Sequence, residues 1–406
     1  MKLVTLDSVL TFHRGITFKP DDKVEVGSSE SVVCFRTKNI QKELDESDLL
    51  AVPSSFVKRD ELYVNQGDIL ISTANSWELV GKCVRVVKTQ YKSTIGGFIS
   101  LLRPKSELID PDYLFRFLSM DETQERIRHL GKKTTNISNL DRVRFLQLQI
   151  PLPPLETQKK IAAVLEKADQ LRKDCKLLEQ ELNSLAQSVF IDMFGSKASG
   201  YSEWPLHRIE ELAESKKGSM RTGPFGSDLK HSEFVDEGIA VIGIDNAVKN
   251  EFAWGERRFI TPEKYEKLKR YRVYPQDLII TIMGTTGRIA VIPDDIPLSI
   301  STKHLAVITL DKDKVIPEFL ATAIKTHPDL LHQIIDSNKG AIMDGLNLGL
   351  IKALSLRLPP LDLQLKYLAG LKVIRERIFE SRSSHEQNND LFNSLMQKAF
   401  KGELNL

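Results

Sequence analysis

The chain has 406 residues, of which 41% are hydrophobic and 28% charged, with a net charge of +2. That length supports two or three domains, and the composition is that of a soluble globular protein, neither disordered nor membrane-spanning. A near-neutral balance means that any surface for nucleic acid has to be local.

No apolar run approaches the ~18 residues of a membrane helix. The acid at Asp7 comes too early for a signal peptide. The three cysteines, Cys34, Cys83 and Cys175, are widely spaced and odd in number. They fit a reducing, cytoplasmic location and offer no disulfide or zinc framework.

Taken in chain order, the first strand signal is Gly67–Ser72, GDILIS, an acid at the edge of an aliphatic run. Gly81-Lys82 follows, with Val84 and Val86-Val87 beyond it. Asp110-Pro111 suits the N-cap and first position of a helix. A basic run follows: Arg126, Arg128, Lys132, Lys133, Arg142 and Arg144, interrupted by Thr134-Thr135-Asn136-Ile137-Ser138-Asn139. Then comes Leu152-Pro153-Pro154-Leu155-Glu156-Thr157-Gln158, where proline opens a helix because its missing N–H would have lacked a partner there. From Ile161 the apolar positions run Ile161, Val164, Ala168, Leu171, Cys175, Leu178, Leu182, Leu185, Val189, a heptad seam stopped by Gly195. About 40 residues at 1.5 Å each make a helix of roughly 60 Å. Gly195–Gly200 reads as a linker.

The order then repeats. Gln276–Thr281, QDLIIT, answers Gly67–Ser72, and Gly287-Arg288 answers Gly81-Lys82. Pro317-Glu318-Phe319-Leu320 answers Pro111-Asp112-Tyr113-Leu114, and Leu358–Gln364, LPPLDLQ, answers Leu152–Gln158. The last two pairs lie 206 residues apart. The second seam is Leu371, Ile374, Ile378, Ser381, His385, Asn388, Phe392, Leu395, Ala399, with Gly402 as its stop. Its polar middle serves to fix register at some cost in stability. The chain is therefore a tandem duplication of a compact α+β unit followed by a long helix, and the two helices are expected to pack as a coiled coil.

Catalytic motifs are missing. No GxxxxGK[ST] loop, HExxH or GxSxG occurs. The Pro-Pro pairs follow Leu, not the Asp or Asn of an amino-methyltransferase adenine pocket. His304 beside Lys303 could be a base, but a lone histidine is more often a polar contact. No metal set is apparent, and the chain reads as non-catalytic.

Local charge points to DNA. Basic residues mixed with Ser, Thr, Asn and an aromatic suit a phosphate-and-base surface. The candidates in the first unit are Asn75, Lys82, Lys132, Lys133, Thr134, Thr135 and Asn136. Those in the second are Lys216, Lys217, Arg221, Thr222, Lys230, Thr285, Thr286, Arg288, Lys303 and His304. Lys216 to Lys230 flank Gly223-Pro224-Phe225-Gly226-Ser227. Among them Thr134, Asn136, Thr285, Thr286 and Arg288 are the candidate base readers.

Two dissimilar halves, each closed by Pro-Pro-Leu-acid-x-Gln and a long helix, resemble the DNA specificity subunit of type I restriction–modification enzymes. The Leu152–Gln158 stretch continuing through Lys159-Lys160-Ile161-Ala162-Ala163-Val164-Leu165 carries most of the likeness; Gly223–Ser227 and Gly67–Ser72 support it. Tyr367-Leu368-Ala369-Gly370 departs from the Ile-Ala-Ala-Val run of the first copy.

The resemblance implies target-recognition domains at 1–152 and 197–358, and conserved spacer helices at 153–196 and 359–406 packed as an antiparallel coiled coil. It implies a chain that reads a bipartite, asymmetric double-stranded DNA target and binds no cofactor itself. Two modification subunits would supply adenine N6 methylation from S-adenosylmethionine, and restriction subunits using ATP and Mg could join them. The helices would act as a ruler between the half-sites. The rival readings are a coiled-coil scaffold without DNA specificity and an enzyme with a cryptic site.

Overall fold

A computed structural model describes residues 1–133, 137–337 and 346–404. The chain divides into two compact units. The first is Met1–Lys176 with Arg382–Leu406, and the second is Leu177–Ser381.

In the first unit, Leu10–Arg14, Ile99–Pro104, Ile69–Ser72 and Cys83–Arg85 form a four-stranded antiparallel sheet in that order. A three-stranded sheet, Ala51–Pro53, Ser31–Phe35, Ser93–Ile95, lies against one face of it. Side chains alternate along a strand, so both faces of the four-stranded sheet need a cover. Ile69, Ile71 and Leu102 point into a core with helices Pro111–Ser119 and Asp121–Leu130. Leu70, Val84 and Leu101 point the other way, against Val33, Phe35 and Ile95. This explains the unbroken aliphatic run of GDILIS: both faces are buried, at roughly 1.5–3 kcal/mol per large side chain.

The second unit repeats the plan. Its sheet is Met220–Thr222, Leu305–Ile308, Leu278–Thr281, Ile289–Val291. Leu278 and Ile280 face helix Pro317–Thr326, while Ile279, Leu305 and Val307 face a second sheet built on Ile239–Ile242 and Ser299–Ser301. In each unit the strand just ahead of the double proline closes on the first strand of that copy: Leu3–Thr5 with Gln149–Pro151, and Leu206–Arg208 with Ser355–Arg357. The duplication is thus one of topology as well as sequence.

The long helices are Leu155–Phe194 and Leu361–Lys401. In the first unit Ile161, Ala162, Leu165 and Ala168 share a core with Phe392, Met396 and Ala399. The start of one helix therefore meets the end of the other, an antiparallel pairing. In the second unit Phe190 and Phe194 meet Tyr367 and Leu371, with Tyr367 5.4 Å from each phenyl ring.

The second helix buries or half-buries all of its predicted seam, Leu371, Ile374, Ile378, Ser381, His385, Asn388, Phe392, Leu395 and Ala399. The first does not. Ile161, Ala168, Cys175, Leu182 and Val189 face inward, but Leu171, Leu178 and Leu185 are 44%, 47% and 48% exposed. The inward positions between them are Leu165, Arg172, Glu179 and Ala186, one residue later than predicted, and Val164 is only half-buried. Alternating steps of three and four satisfy the heptad in either phase. The polar middle of the second helix selects the phase that turns Arg172 and Cys175 inward. His385 hydrogen-bonds the Arg172 carbonyl at 2.8 Å, and the Asn388 amide donates to Cys175 Sγ at 3.4 Å.

Gln158 and Gln364 account for the glutamine that ends each Pro-Pro motif. Both are fully buried. Gln158 Oε1 accepts from the Asp110 amide, and its Nε2 donates to Leu108 and Pro153 carbonyls. Gln364 repeats this with the Ile316 amide and the Lys314 and Pro359 carbonyls. Each glutamine fastens the root of a long helix to the turn that enters a shorter helix of the same unit.

Candidate nucleic-acid interface

At one end of each four-stranded sheet, three connections are tied together by backbone hydrogen bonds. The first is a tight turn, Gly96-Gly97-Phe98-Ile99 in the first unit and Thr302-Lys303-His304-Leu305 in the second. Each turn is closed by the same bond, Ile99 N–H to Gly96 O at 2.9 Å and Leu305 N–H to Thr302 O at 3.1 Å. Each is pinned to the neighbouring sheet, Gly96 N–H to Phe35 O and Thr302 N–H to Ile242 O, both at 2.9 Å. Phe98 and His304 therefore occupy the same place.

The second connection is the hairpin loop. The amides of Thr73 and Ile282 donate to the Phe98 and His304 carbonyls, each at 2.9 Å. The loop returns at Gly81-Lys82 or Gly287-Arg288, where Gly81 and Gly287 have φ of 86° and 81°. That left-handed conformation favours glycine, and a Cβ on Gly81 would lie 2.4 Å from Ile127. The frame is shared, but the loop between is Thr73–Val80 in one unit and the shorter Ile282–Thr286 in the other.

The third connection passes at Gly15 or Gly223. A Cβ on Gly15 would sit 2.1 Å from the Gly96 carbonyl oxygen, and one on Gly223 2.3 Å from the Thr302 backbone. Glycine is needed here for the close approach itself. In the first unit a small sheet adds to the cluster: Lys132–Lys133 pairs with Ser138–Asn139, which pairs with Ala74–Asn75.

The sequence candidates distribute unevenly over this frame. Asn75 lies on the small sheet, its amide donating to Ser72 Oγ. Lys82 follows the hinge glycine and donates to Gln41. Lys132 and Lys133 form the outer strand of the small sheet; Thr134, Thr135 and Asn136 fall outside the described residues. Thr285 and Arg288 are exposed and Thr286 half-exposed on the short loop, which the buried Thr281 hydroxyl organises by donating to the Thr285 carbonyl and accepting the Arg288 amide. Lys303 and His304 belong to the tight turn. The His304 imidazole titrates below its ordinary value through burial first, then the charges of Lys303 and Arg258. Thr222 ends the strand ahead of Gly223, while Lys216, Lys217 and Lys230 are exposed on flanking turns.

Arg221 is a correction. Its side chain is 9% exposed and pairs with buried Asp277 at 2.7 Å, also donating to Thr309 Oγ1 and the Arg272 carbonyl. It braces the sheet and presents no free guanidinium to a ligand. The first unit makes the same brace from the other strand: Arg103 donates to both oxygens of Asp68, at 2.9 and 2.7 Å, and to the Tyr63 carbonyl. By sheet register Arg103 stands where Thr309 does, and His13 where Arg221 does.

Two surface groups, Phe98 and Trp77, were not singled out from the sequence, whereas Phe225 was, within the Gly223–Ser227 stretch. Phe98 is 66% exposed. Trp77, in the longer loop, carries Arg128 over its ring at 5.5 Å and His129 at its edge. Phe225, 55% exposed, follows Gly223-Pro224 in the second unit. Applying the 206-residue offset to His304 would have pointed to Phe98.

The model of the type I restriction modification DNA specificity domain matches residues 1–186 and again 201–388. The chain belongs to that family. The type I specificity chain is similar to the StySPI specificity subunit of Salmonella potsdam, 23% identical across 98% of this chain and 88% of that one. Its fold is similar to a solved S subunit from M. genitalium, with a TM-score of 0.56 and 17% identity over 98% and 96% of the two chains. A chain from a structural study of type I R-M complex assembly gives a TM-score of 0.61 at 14% identity over 99% and 98%. The doubled family match coincides with the doubled frame of the specificity chain. Among its described residues no helix is long and apolar enough to cross a membrane.

Proposed function

We propose that this specificity chain reads a bipartite, asymmetric double-stranded DNA target, one half-site through each loop cluster, and directs adenine N6 methylation by two partner modification subunits. The observation that carries this reading is the duplicated frame: the same turn, hinge glycine and close glycine contact recur, while the loops they hold differ in length and in exposed side chains. Identical supports under different loops suit two readers of different sequences. Exposed Arg126, Arg142 and Arg144 near the first cluster, and Arg288 in the second, supply local positive charge for phosphates in a chain of nearly neutral balance.

In this reading S-adenosylmethionine, ATP and Mg are bound by partners, restriction subunits can join, and the chain works in the cytoplasm. The experiment is single-molecule methylome sequencing of the host with and without the gene. A two-part motif that loses modification when the gene is deleted is expected; an unchanged methylome favours the scaffold reading. Inserting four residues after Gln180, about one helical turn, is expected to change the gap and keep both half-sites.

A further inference from the structure

The turn shared by the two units carries a ring at the same position, apolar in one and hydrogen-bonding in the other. Phe98 stands out from a rigid base. Ile99, Leu101 and Leu102 beyond it are fully buried, and its own carbonyl holds the Thr73 amide. Two-thirds of the residue is nonetheless exposed, and its ring enters none of the ring or cation contacts found among the described residues. Exposing a phenyl ring on a fixed turn forgoes burial that the adjacent core could have supplied. A solvated surface position would more economically carry a polar residue; the second unit has the half-buried His304 at this place.

Resting on the reading above, we propose that Phe98 is a specificity-determining residue that recognises thymine through its 5-methyl group. A phenyl ring has neither donor nor acceptor, so it cannot read the hydrogen-bonding pattern of a base edge. Of the groups displayed in the major groove, the thymine methyl is the one whose recognition is apolar. The equivalent His304 can donate and accept, and so serves a half-site with a different base at the matching position. One frame with exchanged rings yields two unlike half-sites. Stacking of Phe98 on a base is the competing contact, and it differs in a measurable way: a base stacks with or without its methyl group, whereas methyl recognition disappears with it.

The test uses the full specificity chain assembled with its modification partners, and duplexes carrying the methylome-derived target. Each thymine of both half-sites, on both strands, is replaced singly by deoxyuridine, which removes only the methyl. Wild type, Phe98→Ala and Phe98→His are compared by equilibrium binding. At one position deoxyuridine is expected to weaken wild type about three- to five-fold, the worth of one buried methyl, and to leave both variants unaffected. Unfolding curves for both variants should match wild type, since the ring is exposed. The proposal is overturned if no deoxyuridine position separates wild type from the variants, if the effect persists in Phe98→Ala, or if the half-sites contain no thymine. Loss of all sequence preference in the wild-type complex would instead sink the DNA-reading function itself, so the two failures are distinct.

Discussion

Gln158 is the residue on which the entry to the first long helix depends, because three backbone groups take their hydrogen bonds from one buried amide side chain. Replacing it by Leu leaves the Asp110 amide and two carbonyls without that partner. At about 1 kcal/mol per lost hydrogen bond, Gln158→Leu should cost roughly 2–4 kcal/mol. Denaturant unfolding measures the loss, and faster hydrogen exchange at the Asp110 amide localises it. The brace on Asp68 allows a sharper test. Arg103→Thr leaves a buried carboxylate unpaired, at a cost of about 3–5 kcal/mol. Adding His13→Arg recreates the second unit's arrangement, Arg221 and Thr309 around Asp277, and should recover much of that stability in thermal unfolding. These examples also show what the sequence conceals. Arg221 sits in a basic, glycine-containing stretch and reads as a DNA contact; its burial follows from Asp277, 56 residues on. Phe98 draws no notice in the sequence, because nothing local reveals that the turn holds it outward.

At the scale of elements, strands and helix starts were legible because their signals are local. GDILIS, Asp110-Pro111 and the double prolines are all where the sequence places them. The phase of the first helix was not, since it depends on which residues the partner helix offers. Leucine-rich spacing favoured Leu171 and Leu178; Ser381, His385 and Asn388 required polar company. Arg172 answers them: its guanidinium lies 4.3 Å from the Phe392 ring centroid and bonds Asp169 at 2.6 Å. Asp169 also accepts from buried Arg116 at 3.1 Å. Burial pushes the Asp169 carboxyl upward, but the hydrogen bonds and charges of Arg172 and Arg116 outweigh it and hold the group below the usual carboxylate value. A carboxylate depressed in the folded state stabilises above its unfolded pKa of about 3.9 and loses that contribution as pH falls through the lower folded value. Arg116→Leu should therefore flatten the decline of stability below pH ~4 while lowering stability at neutral pH. Unfolding midpoints of both proteins between neutral and acidic pH check the sign.

On the scale of the whole molecule, chain order and structural units disagree. The first unit is completed by Arg382–Leu406, the last part of the chain. A fragment ending at Ser196 would keep the inward face of Ile161, Leu165 and Ala168 but lose Phe392, Met396 and Ala399. Such a fragment is expected to be aggregation-prone and poorly cooperative on unfolding, and to gain stability when a peptide spanning 382–404 is added. Equal stability with and without the peptide would mean that the N-terminal unit closes its core alone. The Asp68 and Asp277 braces carry a related lesson for recombination between the two copies. A crossover that joins Leu10–Arg14 to the strand Leu305–Ile308 with the following Thr309 gives an offspring with no guanidinium for its acid; the reciprocal offspring has two for one acid. Homologous exchange is therefore silent only when both breakpoints fall outside these strands, and the cassettes from which hybrid specificities can be assembled are whole units, not segments of a sheet.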